Sequence, residues 1–157
     1  MQKVTPFLWF NNNAEEAMDF YNSIFKNSSV LNKQLLPEGA PGTKERLLMG
    51  VFKIEGQEFM VLNGGPLFTF NEAISLFVSC DTQEEIDEYW ERLTEGGSES
   101  QCGWLKDKFG LSWQIIPKTL GELMGDSDPV KAERVMNAML RMKKIDMAEL
   151  QRAYDGE

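Results

Sequence analysis

The polar side chain best placed to do chemistry is Gln114, in the stretch from Trp104 to Pro117. It alternates with Trp113 and Ile115, so a strand here would carry bulky apolar side chains on one face and a lone amide on the other. An amide both donates and accepts hydrogen bonds, and could therefore orient a small polar ligand. It could equally be a buried group satisfied by neighbouring backbone, and both interpretations stay open.

Other chemistry is limited by the absence of histidine from the sequence, because histidine is the commonest general base and transition-metal ligand. Ser75 has no histidine partner for nucleophilic catalysis, and we expect it to form a local hydrogen bond. Cys80 and Cys102 lack an identifiable base, so we expect them to fill core space. Trp104 is a candidate for stacking on a flat ligand in a pocket.

The three charged residues Lys106, Asp107 and Lys108 fall at the hairpin turn that follows Trp104, and we expect them to be solvated.

The amino-acid composition further limits the kinds of partner that the protein could bind. The formal net charge of −9 argues against nucleic acid and anionic membranes, since phosphate binding needs clustered lysine and arginine. Two cysteines could form at most one disulfide, which favours a cytoplasmic location. We find no signal-peptide pattern and no segment apolar enough to span a membrane.

The elements that must position these residues recur along the chain. In the first half, Asn13 with Glu16 predicts a capped helix, and in the second half Thr82 with Glu85 does the same. Apolar stripes of helical period predict helices over 14–25 and 83–93. Alternating segments predict strands over 4–10, 30–36, 46–54, 58–62, 74–79, 104–106 and 112–116.

These elements form an internal repeat. The pair Glu15-Glu16 precedes Glu84-Glu85 by 69 residues, and Gly56–Leu62 precedes the similar Gly110–Ile116 by 54. We therefore predict one α+β domain over 1–157, built from paired βαβββ modules that form a curved mixed sheet around a cavity. The modules are 1–65 and 72–117, joined by a linker over 66–71, and a helical C-terminal extension follows over 118–157.

Three motifs carry a resemblance to a known family: T-P-F-L-W-F-N-N-N-A-E-E-A-M-D-F-Y from Thr5, N-G-G-P-L-F-T-F-N-E-A-I-S-L from Asn63, and G-W-L-K-D-K-F-G-L-S-W-Q-I-I-P from Gly103. With the βαβββ repeat, they make the chain resemble the vicinal oxygen chelate superfamily of glyoxalases, bleomycin-resistance proteins and dioxygenases. Within it, the chain is similar to the PhnB-like branch, often labelled 3-demethylubiquinone-9 3-methyltransferase.

The resemblance implies where a site would lie. Metal-using members of the superfamily carry one ligand on each of four strands, at positions that match Pro6, Met60, Ser75 and Gln114 here, or Ile74 as the third. Proline and methionine do not suit a hard or borderline divalent ion, so we expect no metal and no cofactor. The predicted ligand-binding residues are these four positions together with Leu8 and Trp104.

The methyltransferase label is not supported by the residues, because Gly64-Gly65 precedes a proline rather than opening a helix. Our leading hypothesis is a metal-independent protein that binds, and could sequester or carry, a small molecule. The alternative is a lyase, isomerase or transferase acting on a small organic substrate with weakly or externally supplied metal. A third interpretation is an interaction module whose apolar tail binds another protein. We also expect a homodimer, since pairing between chains is common in the superfamily and the tail is rich in apolar positions.

Overall fold

Each half of the chain folds as one strand, one helix and three further strands, which confirms the predicted pair of βαβββ modules. The structure is a computed structural model that describes residues 2–39, 41 and 44–157. It divides into two units, Met1–Phe70 and Asn71–Glu157, which are described separately below. Across the described ranges, no helix is both long and apolar enough to cross a membrane.

The first unit holds a four-stranded sheet, sheet A, with the strand order β1-β4-β3-β2. Strand β1 runs parallel to β4, and the other neighbours are antiparallel. The turn at Glu55-Gly56 joins β3 to β4, and both of its residues have positive φ, as a tight two-residue hairpin requires. The elements are β1 (Phe7–Phe10), α1 (Ala14–Ile24), β2 (Ser28–Leu35), β3 (Leu47–Ile54) and β4 (Gln57–Asn63).

Helix α1 covers one face of sheet A through its apolar stripe. Met18 and Tyr21 are fully buried against the sheet, where Tyr21 stacks on Phe52 with ring centroids 6.0 Å apart. Gly50 lets the helix approach closely, because a Cβ at this position would lie 2.6 Å from the terminal methyl of Met18. The opposite face of the sheet, which carries Met60, receives no helix of this unit.

The N-terminus of α1 is capped differently from the expectation. The Asn13 side chain makes no capping hydrogen bond. Instead, the Glu45 carboxylate accepts the backbone N–H groups of Glu15 and Glu16, each at 2.9 Å, and the Asn63 amide oxygen accepts that of Ala14 at 2.9 Å. A charged carboxylate suits the positive end of the helix dipole better than a neutral amide, so the predicted Asn13–Glu16 capping box is wrong.

The second unit repeats this plan in sheet B, with the order β5-β8-β7-β6 and a parallel pair formed by β5 and β8. Helix α2 is capped as predicted, since the Thr82 hydroxyl accepts the N–H of Glu85 at 3.2 Å. Its buried residues, Ile86, Trp90 and Leu93, face the sheet. The elements are β5 (Ser75–Cys80), α2 (Gln83–Thr94), β6 (Ser98–Glu99), β7 (Trp104–Lys106) and β8 (Ser112–Pro117).

The tail forms three helices, α3 (Lys118–Met124), α4 (Pro129–Leu140) and α5 (Met147–Asp155). Helices α4 and α5 are capped at their N-termini, where the carboxylates of Asp128 and Asp146 accept the N–H groups of Val130 and Glu149. The tail is part of the second unit's core. Its buried side chains pack around Ile116 at the end of β8, and they are Leu120, Val135, Ala138, Met142, Ile145 and Leu150.

Candidate functional site

Strand β8 gives Gln114 the orientation that the sequence predicts. Its neighbours Trp113 and Ile115 are buried on the face that α2 covers, whereas Gln114 is only partly buried. Because side chains alternate along a strand, the amide points to the other face of sheet B, which we call the open face. One face of β8 therefore carries the apolar side chains of Trp113 and Ile115, and the opposite face carries the polar amide of Gln114.

On the open face, Gln114 is held by a second predicted site residue. Its amide nitrogen donates to the hydroxyl oxygen of Ser75 on β5, at 2.9 Å. Ser75 therefore bonds across two strands to a residue 39 positions away in sequence, rather than locally as expected. The amide oxygen of Gln114 accepts no hydrogen bond from the described residues. An acceptor fixed in position and left available is what the orientation of a polar ligand requires.

Aromatic side chains lie on either side of this amide. The strand register pairs Gln114 with Phe77 of β5 and with Trp104 of β7, so the three side chains share one row across the open face. Phe77 is 59% exposed, an unusual fraction for phenylalanine. Trp104 was predicted for the site and Phe77 was not. Two-residue alternation from Ser75 would have found Phe77, because both residues then point the same way.

The open face carries a positively charged side chain at Lys106, which lies two residues after Trp104 on β7. The Lys106 ammonium pairs with the carboxylate of Glu72, which precedes β5. This hydrogen-bonded contact lowers the pKa of the Glu72 carboxyl below its usual range. The pair is largely exposed, so it adds little to stability. The sequence had indicated that Lys106 was a solvated residue of a hairpin turn, and its place beside the site was missed.

The neighbouring Asp107 also differs from the expectation that it is solvated. It is 2% exposed, and its carboxylate accepts the backbone N–H groups of Phe109 and Leu111 at 2.9 and 3.0 Å. The indole N–H of Trp113 donates to the same carboxylate at 2.9 Å. These bonds shape the turn before β8 and hold Trp113, the residue that precedes Gln114. The role of Asp107 is to position the strand.

The site residues predicted in the first module lie together only in part. Met60 is partly exposed on β4, and its backbone N–H donates to the carbonyl of Pro6 at 2.9 Å, so these two residues are neighbours. The structure places Leu8 differently from the expectation: it is 5% exposed and pairs with Val61, which is fully buried. Leu8 therefore lies on the buried face of β1, opposite to the face of Met60.

The four positions implied by the superfamily do not fit a divalent metal ion. Proline offers no side-chain donor, the thioether of Met60 is a soft ligand, and the Ser75 oxygen already accepts from Gln114. Within the described part of the chain, no group of three or more histidine, cysteine, aspartate or glutamate residues could hold a metal ion. The donor set suits hydrogen bonding to an organic ligand.

The cysteines are placed away from such chemistry. Cys80 is fully buried at the end of β5, and burial raises the pKa of its thiol to about 12. It is therefore protonated at neutral pH and unsuited to nucleophilic attack. Cys102 is partly exposed in the turn before β7, where its φ is positive. These features agree with the core-filling role expected of Cys80.

Comparison with known proteins supports the resemblance of this chain to the PhnB-like family. The family model described as 3-demethylubiquinone-9 3-methyltransferase matches residues 2–116. The PhnB protein from Bacillus cereus is 38% identical, with a TM-score of 0.69, over 74% of this chain and 99% of that one. None of the curated proteins matches the chain.

Two more distant structures share the fold. Protein PA1353 from Pseudomonas aeruginosa is 20% identical with a TM-score of 0.59, over 74% of this chain and 98% of that one. The fosfomycin resistance protein FosX from Listeria monocytogenes is 17% identical with a TM-score of 0.56, over 77% of this chain and 94% of that one. These two matches show a shared fold, whereas the family model and the Bacillus cereus protein show that the chain belongs to the PhnB-like family, described as 3-demethylubiquinone-9 3-methyltransferase.

Proposed function

We propose that this chain is a metal-independent small-molecule binding protein whose ligand lies on the open face of sheet B. The observation that carries the proposal is the state of Gln114. Its amide is held by Ser75, its oxygen has no partner among the described residues, and it lies between two aromatic side chains. The amide oxygen is therefore available to accept a hydrogen bond from a ligand.

Ligand binding would complete the hydrogen bonding of this amide. In the free protein, water can satisfy the amide oxygen, and a donor group of the ligand would then replace that water. The ligand's apolar part would cover Phe77 and Trp104, which removes their apolar surface from water. Pro6 and Met60 stand at the matching positions of the first module, and we propose that they make apolar contacts with a ligand on that module's own sheet.

The substitution Gln114→Leu tests this function. Leucine is close in size and removes only the hydrogen-bonding capacity, so we expect ligand affinity to fall by roughly tenfold while the melting temperature changes little. A ligand would first be found by thermal-shift screening of small organic molecules, and its affinity then measured by calorimetry. Because Ser75 loses its partner too, Ser75→Ala serves as the matched control for that lost bond.

Metal independence is measured in the same assay. We expect equal affinity in the presence of a chelator and with added Mn²⁺, Zn²⁺ or Ni²⁺, since the implied ligand positions do not suit these ions. Unchanged affinity of the Gln114→Leu variant would reduce Gln114 to a structural role. Turnover of a screened compound that depends on added metal would favour the enzymatic alternative instead.

We also propose that the chain forms a homodimer. Helix α4 leaves Val130, Met136 and Leu140 exposed, although the rest of the tail is well packed. Contact with a second copy would cover these side chains. We expect light scattering at micromolar concentration to give twice the monomer mass, and Leu140→Glu to shift the protein towards monomers. A monomer at that concentration would contradict the proposal. The predicted cytoplasmic location stays a prediction.

A further inference from the structure

The open face of sheet B carries two parallel rows of side chains. One row is Phe77, Gln114 and Trp104, described above, and the other is Ser75, Ser112 and Lys106. Neighbours within a row are about 5 Å apart, because they lie on adjacent strands. The rows are separated by two residues along each strand, or about 7 Å. The first row is aromatic around an amide, and the second is polar and positively charged.

Ser112, in the centre of the second row, is the residue that points to a ligand. It is 1% exposed, and its hydroxyl has no hydrogen-bond partner among the described residues. Leaving a buried hydroxyl without a partner is unfavourable, so such groups are rare and call for an explanation. In the strand register, Ser112 lies between Ser75 on β5 and Lys106 on β7. An unused donor beside a cation suits an incoming anion.

The ammonium group of Lys106 already forms an ion pair with a carboxylate of the chain. The carboxylate of Glu72 pairs with Lys106, and both side chains are more than one-third exposed. Solvent screens such an exposed ion pair, so a ligand could displace Glu72 at little cost. Glu72 thus shows the chemistry that the position accepts, namely a single carboxylate on a single lysine.

From these rows we infer that the ligand is a ring-bearing organic carboxylate, an inference that rests on the function proposed above. The ring lies over Gln114, between Phe77 and Trp104. The ligand's carboxylate replaces that of Glu72 on Lys106 and accepts a hydrogen bond from the hydroxyl of Ser112. The spacing of about 7 Å between the rows matches the length of one aromatic ring with its carboxyl group.

A monoanion fits this face better than a phosphate or phosphonate. Among the described residues of β5, β7 and β8, Lys106 is the one cation. The chain as a whole carries a formal net charge of −9, which repels a doubly charged ligand more strongly than a singly charged one. The inference therefore commits to a carboxylate, and a phosphonate analogue is included in the test as a competing outcome.

The test compares matched acids and amides by calorimetry or by ligand-observed NMR. Benzoate and phenylacetate are the probes, and benzamide, phenylacetamide and phenylphosphonate are their controls. We expect each acid to bind at least tenfold more tightly than its amide. Glu72→Gln removes the internal competitor and should tighten acid binding by roughly three- to fivefold. Lys106→Gln should weaken it by about tenfold or more, and Lys108→Gln, the same change at the neighbouring turn, should leave it unaltered.

The inference is overturned if amides or the phosphonate bind as tightly as the carboxylates, or if Glu72→Gln leaves acid affinity unchanged or weaker. Its failure can be separated from that of the proposed function. If the probes bind regardless of their charge and this binding is lost in Gln114→Leu, the inference is wrong and the proposed function is supported. The same holds if no probe binds but a screened ligand is lost in Gln114→Leu. If that variant changes no ligand's affinity, both proposals fall.

Discussion

At the scale of single residues, the second module is organised by one buried carboxylate. Asp107 accepts hydrogen bonds from the backbone N–H groups of Phe109 and Leu111 and from the indole of Trp113. The hydrogen bonds from Leu111 and Trp113 are buried and that from Phe109 is partly buried, so one carboxylate accepts from all three donors at once. It also fixes the residue that precedes Gln114 on β8. The candidate site therefore depends on a residue that contacts no ligand.

Replacing this carboxylate should destabilise the protein clearly. We expect Asp107→Ala to lower the free energy of unfolding by roughly 3 kcal/mol, because buried donors lose their acceptor. Asp107→Asn should cost less, since its amide oxygen can still accept the two backbone groups while the contact with Trp113 is lost. Urea denaturation measures both values, with Asp19→Ala on the exposed face of α1 as the control. Equal stability of Asp107→Ala and Asp19→Ala would contradict this role.

The same residue shows why part of the site could not be predicted. The alternation of Trp113, Gln114 and Ile115 lies within a few residues of sequence, and it gave the face of Gln114 correctly. Asp107 and Lys106 were assigned to a solvated turn because their charge favours solvent. Their actual surroundings depend on the fold of the turn and on Glu72, which is far from them in sequence. Local patterns do not contain such contacts.

At the scale of elements, helix and strand types follow from periodicity, whereas their ends depend on distant residues. Strand β1 begins at Phe7 rather than at Val4, since Pro6 has no N–H to donate and Val4 is exposed. The N-terminus of α1 was predicted from the local pair Asn13 and Glu16. In the structure, Glu45 takes that role from 30 residues away in sequence.

The capping of α1 gives a matched pair of variants. Glu45→Ala should lower the free energy of unfolding by about 1–2 kcal/mol, because the N–H groups of Glu15 and Glu16 lose a charged acceptor. Asn13→Ala should change it by no more than about 0.5 kcal/mol, since that side chain makes no capping bond. Thermal and urea unfolding of both variants provide the measurement. A larger loss in Asn13→Ala would mean that the local pattern was right.

At the scale of the whole molecule, the helical tail distinguishes this chain from what its family shares. The family model ends at residue 116, and the tail begins at Lys118. The tail nevertheless belongs to the core of the second unit, since it packs around Ile116 at the end of β8. Backbone bonds join it to the turn before β7, where the N–H groups of Cys102 and Gly103 donate to the carbonyls of residues 142 and 143 at 2.8 Å. The tail therefore supports β7 and β8, two of the strands that carry the candidate site.

Loosening the tail should consequently loosen that turn. Leu150 is fully buried in α5, and Leu150→Ala should lower the free energy of unfolding by about 3 kcal/mol through the cavity that it leaves. The amides of Cys102 and Gly103 should then exchange hydrogen faster, because their acceptors lie in the loosened segment. Gln151→Ala, at the exposed neighbouring position, should alter neither quantity. Unaltered exchange at both amides in Leu150→Ala would show that the tail folds independently of the strands it contacts.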